Sequence, residues 1–179
     1  MAIITNKKPT PQKLTIIKKK TRPWSKLDQL FWERYLITKQ TLLKFEVSPI
    51  SHYWINANRF SCSSLTYAYT IGKKYKIYCP YGDRKWSSNT TNKHVQGYKQ
   101  LPETGALLIL TSSLKDAMCL YEMGIPSIAL QSEMIMPDEK LIADLKVRFK
   151  KIAVFYDNDF TNPNNPGQTM AIKISKKYH

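Results

Sequence analysis

Three short apolar segments, each followed by polar residues, constrain the fold of this chain more than any other feature. They lie at residues 107–111, 127–130 and 151–156, and segments of helical character separate them. Strands that alternate with helices at this spacing predict βαβ units and a parallel sheet. We therefore expect an α/β subdomain over residues 103–179.

Acidic residues follow two of these predicted strands. Asp116 comes shortly after the first strand, and Asp157 and Asp159 end the third. Ligand sites of parallel sheets lie beyond the carboxyl ends of the strands, and the i, i+2 spacing directs Asp157 and Asp159 to the same side. Because hard divalent cations prefer carboxylate oxygens, the three residues predict a metal site. The alternative is a plain surface turn, since asparagine, proline and glycine follow Asp159.

The same segments resemble the Toprim domain that primases, topoisomerases and some nucleases share. The resemblance rests on TSSLKDAMCLYEMGIPSIAL at 111–130, FYDND at 155–159 and GQTMA from residue 167. The family's pattern is a strand ending in Glu-Gly-x-x-Asp, a strand ending in Asp-x-Asp, and then a glycine before a helix. The residues that match it are Asp116, Asp157, Asp159 and Gly167. The resemblance implies that the three aspartates bind Mg²⁺ or Mn²⁺ and take part in catalysis.

Ser112 departs from this pattern, because it stands where the family has its Glu. The family's Glu serves as a general acid/base or as a metal-site carboxylate, and a serine hydroxyl does neither at neutral pH. Either catalysis is lost or another carboxylate substitutes for the missing one. Glu133 is the candidate catalytic residue, since it follows the second strand and is expected at the same sheet edge as Asp116 and Asp157. The simpler alternative is that Glu133 only caps or precedes the next helix.

The chain before this subdomain is divided into two parts. Residues 1–23 are predicted to be a basic flexible arm, because residues 1–26 contain eight basic residues and no acidic ones. Such an arm can hold phosphates without folding. Residues 24–102 are predicted to form a helical and β subdomain. A capping box at Ser25 and Asp28 favours a helix to residue 36, and Thr38 favours a second, short helix.

The second half of this subdomain predicts a basic antiparallel sheet. Aromatic or β-branched residues alternate with polar ones over residues 47–102. Eight basic residues accompany a single acidic residue, Asp83. Cations interleaved with tyrosine and tryptophan are typical of surfaces that bind single-stranded nucleic acid. The alternative is that the aromatic side chains are only the packed face of the sheet.

The resemblance extends backwards to a family of phage-type DNA primases, over residues 22–175 in all. The sequence KYKIYCPYGDRKWSSN at 74–89 is similar to the basic strand region that precedes their Toprim domain. The resemblance implies that Lys76 lies on the first strand of a hairpin and that Arg84 and Lys85 lie on its return strand. It also implies that these three residues bind the nucleoside triphosphate and the template backbone.

A phage-type primase core implies the synthesis of short RNA primers on single-stranded DNA by metal-dependent nucleotidyl transfer. A net charge of +15 fits such a polyanionic partner. Two alternatives remain. The chain is a nucleic-acid-binding module whose Toprim site has decayed, or it is a Toprim nuclease, which the basic aromatic sheet makes less favourable.

Several parts of the larger primases are not expected here. No cysteine or histidine quartet predicts a zinc module, and no GxxxxGK[ST] motif predicts a helicase. A replicative helicase is therefore expected as a separately encoded partner. The family's sheet gains another strand after the helix at Gly167, so we expect a fragment that lacks this last strand, or a short sheet with a covered edge. Without a signal peptide or an apolar run of about 20 residues, we expect no membrane partner and a cytoplasmic location, in the host cell if the protein is phage-encoded.

Overall fold

The computed structural model describes residues 15–62 and 65–179, which form two β-sheets and their flanking helices. The elements in chain order are β1 (Ile17–Thr21), α1 (Lys26–Glu33), α2 (Lys39–Lys44), β2 (Val47–Ile55), β3 (Asn58–Ser61), β4 (Tyr67–Ile71), β5 (Lys74–Tyr78), β6 (Trp86–Ser88), β7 (Gly105–Thr111), α3 (Leu114–Glu122), β8 (Ser127–Ala129), α4 (Glu139–Arg148), β9 (Phe149–Phe155) and α5 (Pro166–Tyr178). The predicted fold class is confirmed, because an antiparallel-sheet unit leads into a parallel sheet flanked by helices.

Helices α1 and α2 begin where the sequence predicts. The Ser25 hydroxyl accepts a hydrogen bond from the Asp28 amide, and the Asp28 carboxylate accepts one from the Ser25 amide. The Thr38 side chain caps α2 in the same way by accepting from the Thr41 amide. Helix α1 ends three residues before the predicted end, and Leu36 then takes a positive φ of 58° that turns the chain towards α2.

The Asp28 carboxylate also forms a buried ion pair that the capping pattern did not reveal. It is fully buried, and it accepts hydrogen bonds from both terminal nitrogens of Arg22, at 2.6 and 2.8 Å. The Tyr67 hydroxyl donates to it at 2.9 Å. A buried charge needs such partners to offset its desolvation. The contact therefore fastens α1 to β4 and to the segment before α1.

Strand β1 corrects the prediction of a flexible arm for residues 17–21. It pairs in antiparallel orientation with β2, so that Ile17 lies opposite Ile55, and the Ile17 side chain is buried. The run of lysines concealed this strand, but long lysine stems can lie along a sheet while the charge reaches polar partners. Lys19 does so, donating to the hydroxyls of Ser48 and Thr70. Residues 1–14 of the predicted arm lie outside the described residues.

The first sheet has the strand order β1-β2-β4-β5-β6, with β3 paired to β2. Its aromatic residues mainly form a packed core with α1, in which Trp32 and Tyr67 are almost fully buried. Tyr78 is also buried, and Trp86 stacks on it with ring centroids 4.4 Å apart. For these residues the packing alternative is therefore correct. Tyr81 differs, because 66% of it is exposed.

The second sheet contains the three predicted apolar segments in the parallel order β8-β7-β9. Strand β7 is central, and Leu110 lies between Ile128 on one side and Val154 on the other. Gln96 lies in the chain segment between the two sheets and attaches it to the second: its backbone forms a bridge with Ala129, and its side-chain amide donates to the Leu130 carbonyl at 2.6 Å. In the described part of the chain β9 pairs only with β7, and the subdomain boundary at residue 102 stays a prediction.

Candidate active-site cleft

A cleft of about 540 Å³ lies between the first sheet and the carboxyl edge of the second. The residues that line it are Lys76, Tyr78, Lys85, Trp86, Ser88, Ser112, Ser113, Lys115, Asp116, Gln131, Ser132, Glu133 and Asp157. Most residues singled out from the sequence are therefore brought to one place. Arg84 and Asp159 are not among the lining residues, although each is a close chain neighbour of one that is.

Asp116 lies in the first turn of α3, where Ser113 is the N-cap. The Ser113 hydroxyl donates to the Asp116 carboxylate at 2.7 Å. Burial raises the pKa of Asp116 above its ordinary value, and the Asp157 charge adds to the increase, while Ser113 and Lys115 oppose it. Asp116 and Asp157 are thus near enough to repel each other, and a cation between them would relieve that repulsion.

The backbone around Asp157 is held from two sides, while its carboxylate is exposed. The Asp157 amide donates to the Ser112 hydroxyl at 2.9 Å. On the other side, a Cβ placed on Gly167 would collide with the Asp157 carbonyl oxygen. Glycine at this position therefore lets the start of α5 approach the end of β9 closely. Ser112 fixes the position of Asp157 although it brings no carboxylate.

Glu133 lies in the loop between β8 and α4, where it is partly buried. It does not cap the following helix, because the side chain of Asp138 takes that role by accepting from the Lys140 amide. Burial raises the pKa of Glu133, the charges of Asp157 and Asp159 raise it further, and the Ser112 hydroxyl lowers it. Glu133 lines the cleft together with Ser112 and Asp157, beyond the carboxyl end of β8, where the sequence predicted it.

These carboxylates influence one another without forming a ready set of ligands. Among residues 15–62 and 65–179 there is no group of three or more histidine, cysteine, aspartate or glutamate side chains arranged to hold a metal ion. Asp157 and Asp159 are exposed and lie on either side of Asn158 in an irregular segment, so their side chains are able to reorient. The metal site, with Asp116, Asp157 and Asp159 as ligands, stays a prediction.

Lys76 makes contacts within the protein that its sequence position did not reveal. Its Nζ donates to the Gln131 carbonyl at 2.9 Å and lies 4.7 Å from the centroid of the Trp86 ring. Burial lowers the pKa of Lys76 to about 8. Lys76 thereby ties β5 to the loop that carries Glu133, and its expected contact with a triphosphate stays a prediction.

The sequence predicted that Arg84 and Lys85 lie on the return strand of the hairpin that contains Lys76. The structure corrects this prediction, because both residues lie in the turn before β6. The physical reason is the long turn that follows β5, in which the Gly82 amide donates to the Cys79 carbonyl. Because of this turn, β6 begins only at Trp86. Both basic side chains are exposed. Lys85 lines the cleft, as Asp116, Glu133 and Asp157 do.

Several polar residues of the cleft were missed by the sequence reasoning. Lys115 precedes Asp116 and lines the cleft beside it. Gln131 and Ser132 lie just past the carboxyl end of β8, so the rule that parallel-sheet sites lie at this edge was enough to suggest them. The signal that identified Glu133 applies equally to these two residues.

The two units and the cleft between them define a primase-type catalytic-core fold, which comparison with solved structures supports. The chain aligns over 86% of its length with the DnaG catalytic core, at a TM-score of 0.64 and 11% identity. It aligns over 80% with the DnaG primase catalytic domain bound to single-stranded DNA, at 0.59 and 10%. It aligns over 96% with the primase fragment of the bacteriophage T7 primase-helicase protein, at 0.51 and 10%.

The chain thus has the fold expected from its resemblance to phage-type primases, and at these identities the likeness shows the fold alone. The chain spans 60% of each of the two DnaG structures and 69% of the T7 fragment. No family model matches the sequence, and no curated protein matches it either. In the part of the chain that the structure describes, no helix is long and apolar enough to cross a membrane.

Proposed function

We propose that this chain is the polymerase core of a DNA primase that makes short RNA primers on single-stranded DNA. The observation that carries the proposal is the cleft, because Asp116, Glu133 and Asp157 line the same space as Lys85. Nucleotidyl transfer requires carboxylates that hold a cation and basic groups that neutralise phosphates, both aimed into one space. In this chain, which has a primase-type fold, carboxylates and basic groups line one cleft.

Divalent metal fits the donor set of the cleft, because the carboxylates supply hard oxygen ligands and repel one another without a cation. Asp157 and Asp159 would hold Mg²⁺ or Mn²⁺, with Asp116 completing the site. The bound metal would neutralise charge on the triphosphate and the leaving pyrophosphate. Ser112 and Gly167 position the Asp157 backbone so that its side chain reaches the cleft.

Glu133 takes the role of the carboxylate that the family has in place of Ser112. Its raised pKa and its electrostatic contact with Asp157 and Asp159 support this substitution. A carboxyl group that loses its proton less readily is better suited to accept a proton near neutral pH. Ser112 then orients Asp157 and Glu133, because its hydroxyl accepts from the Asp157 amide and interacts with the Glu133 carboxylate.

Arg84 and Lys85 are proposed to contact the triphosphate and the template, since both are exposed and Lys85 lines the cleft. Single-stranded DNA and nucleoside triphosphates are the proposed partners. One structural neighbour is a fragment of a primase-helicase protein, and for this chain we propose a helicase encoded separately. A cytoplasmic location belongs to the same proposal.

The second candidate is a nucleic-acid-binding module without catalysis. Ser112 in place of a glutamate favours it, as does the lack of a preformed metal-ligand group among the described residues. The basic surface would bind nucleic acid in either case, so nucleic-acid binding alone does not separate the two candidates. Only an assay of primer synthesis does.

Primer synthesis on mixed-sequence single-stranded DNA, with Mg²⁺ or Mn²⁺ and labelled nucleotides, tests the proposal. We expect the wild type to make short RNA and expect Asp157→Asn and Glu133→Gln each to lose it. Ser112→Glu should retain or raise activity, because a glutamate carboxylate can also accept from the Asp157 amide that Ser112 now binds. Glu103→Gln is the matched control, because this exposed residue lies at the amino end of β7, away from the cleft. An inactive wild type that still binds DNA, or full activity of Glu133→Gln, contradicts the proposed mechanism.

A further inference from the structure

A group of exposed or partly buried aromatic and basic side chains adjoins the cleft and has no part in the chemistry proposed above. It consists of Arg34, Tyr35, Tyr81 and Lys115, and we refer to it as the rim. Tyr81 is the residue that draws attention to the rim, because it is 66% exposed while Tyr78, on the same hairpin, is buried. An exposed tyrosine ring on a basic surface offers a π-face to a ligand.

Arg34 is held in one orientation although it lies at the surface. Its Nη2 donates to the Tyr81 hydroxyl at 2.9 Å. Its guanidinium carbon lies 4.9 Å from the centroid of the Phe31 ring and 5.8 Å from that of Tyr35. Such an arginine loses little freedom when it binds a phosphate through its remaining N–H groups.

The charge of Arg34 is not neutralised by a carboxylate. Within residues 15–62 and 65–179, the ion pairs join other residues and none involves Arg34. The guanidinium is held instead by the Tyr81 hydroxyl and by aromatic rings, and it keeps its net charge. The site is therefore prepared for an anion that comes from outside the chain.

The rim is continuous with the cleft. Lys115 lines the cleft, and its Nζ lies 4.2 Å from the centroid of the Tyr35 ring, on which Arg34 also packs. The Phe31 ring also packs against both the cleft wall and the rim. Its centroid is 6.3 Å from that of Tyr78 in the cleft wall and 6.2 Å from that of Tyr81 in the rim. Two cations and one exposed ring therefore follow each other outward from the cleft.

We propose that the rim binds the single-stranded nucleic acid where it leaves the cleft. Lys115 and Arg34 each hold a backbone phosphate, and the exposed face of Tyr81 stacks on an unpaired base. Stacking favours a single strand over a duplex, whose bases are already stacked on each other. The identification of this strand as the primase template rests on the proposed function.

Fluorescence anisotropy with a labelled 20-nucleotide mixed-sequence single strand tests the rim without nucleotide or divalent metal. We expect Arg34→Gln to lower the slope of log K against log[salt] by about one, because one phosphate contact is lost. Tyr81→Ala should weaken binding by about tenfold at every salt concentration with an unchanged slope, since stacking is not ionic. Tyr81→Phe keeps the ring and should retain most of the affinity.

Lys26→Gln is the matched control, because it removes one exposed charge from the same helix, α1, outside the rim. Circular dichroism and thermal melting establish that each variant is folded. The rim is refuted if Arg34→Gln and Tyr81→Ala bind as Lys26→Gln does, if the wild type does not bind the strand, or if a duplex of the same length shows equal losses. Rim effects in a protein that makes no primers support the rim and reject only the primase activity.

Discussion

Removal of the Lys76 amine should change how the stability of the protein depends on pH. In Lys76→Met the unbranched side chain still covers Trp86, but the buried charge and the hydrogen bond to the Gln131 carbonyl are lost. Burial lowers the pKa of Lys76 from 10.5 to about 8. At 1.36 kcal/mol per pKa unit, this difference corresponds to about 3 kcal/mol.

The sign follows from where the proton is bound. Below pH 8 Lys76 is protonated in the folded and the unfolded chain, and the folded chain bears the cost of the buried charge. Between pH 8 and 10.5 the unfolded chain keeps the proton and the folded chain loses it, so the contribution of Lys76 to stability rises with pH. From pH 7 to pH 10 the gain should be about 2–3 kcal/mol.

Urea denaturation followed by tryptophan fluorescence at pH 7 and pH 10 measures this gain. Other groups also titrate over this range, but they are common to wild type and Lys76→Met, so the difference between the two proteins isolates Lys76. Lys73→Met is the matched control, because Lys73 is an exposed residue of the same hairpin. If the difference in free energy of unfolding between wild type and Lys76→Met is equal at both pH values, Lys76 is not desolvated in the folded protein.

Two further predictions concern residues that lie in or close to the cleft. Gly167→Ala should destabilise the protein by about 1–3 kcal/mol, because the new Cβ meets the Asp157 carbonyl and one backbone must move; thermal denaturation checks this, and an unchanged melting temperature contradicts the close approach. Neutralising Arg84 and Lys85 together should lower the slope of log K against log[salt] for single-strand binding by about two, one for each phosphate contact. An equal slope in wild type and double variant would show that neither residue belongs to the binding surface.

The sequence predicted those features that depend on neighbouring residues. The capping box of Ser25 and Asp28 is a contact within a single turn, and it begins α1 as expected. The apolar segments became the strands β8, β7 and β9, and β8 is buried along its whole length, as expected for a strand of mostly apolar residues in a parallel sheet. Strand β9 differs, because several of its residues are exposed. Gly167 matched a family pattern, and the structure supplies its reason in the close approach to Asp157.

Contacts between distant segments could not be predicted in this way. Strand β1 is stabilised by its pairing with β2, and nothing in a run of lysines encodes that partner. Lys76 and Lys85 are equivalent as basic residues in the sequence, yet one is tied to the Gln131 carbonyl and the other is exposed. Tyr78 and Tyr81 are likewise equivalent as aromatic residues in the sequence, yet Tyr78 on β5 belongs to the packed core and Tyr81 in the following turn is exposed.

The carboxylates of the cleft are tested most directly by a Mn²⁺ titration followed by electron paramagnetic resonance. The wild type should bind Mn²⁺, while Asp157→Asn, Asp159→Asn and Glu133→Gln should each weaken binding, and the Asp157→Asn/Asp159→Asn double variant should abolish it. All three residues are exposed or only partly buried, so the fold should survive these changes. Glu103→Gln, at the opposite end of β7, should bind as the wild type does. Equal Mn²⁺ binding by wild type and double variant would show that Asp157 and Asp159 form only a surface turn.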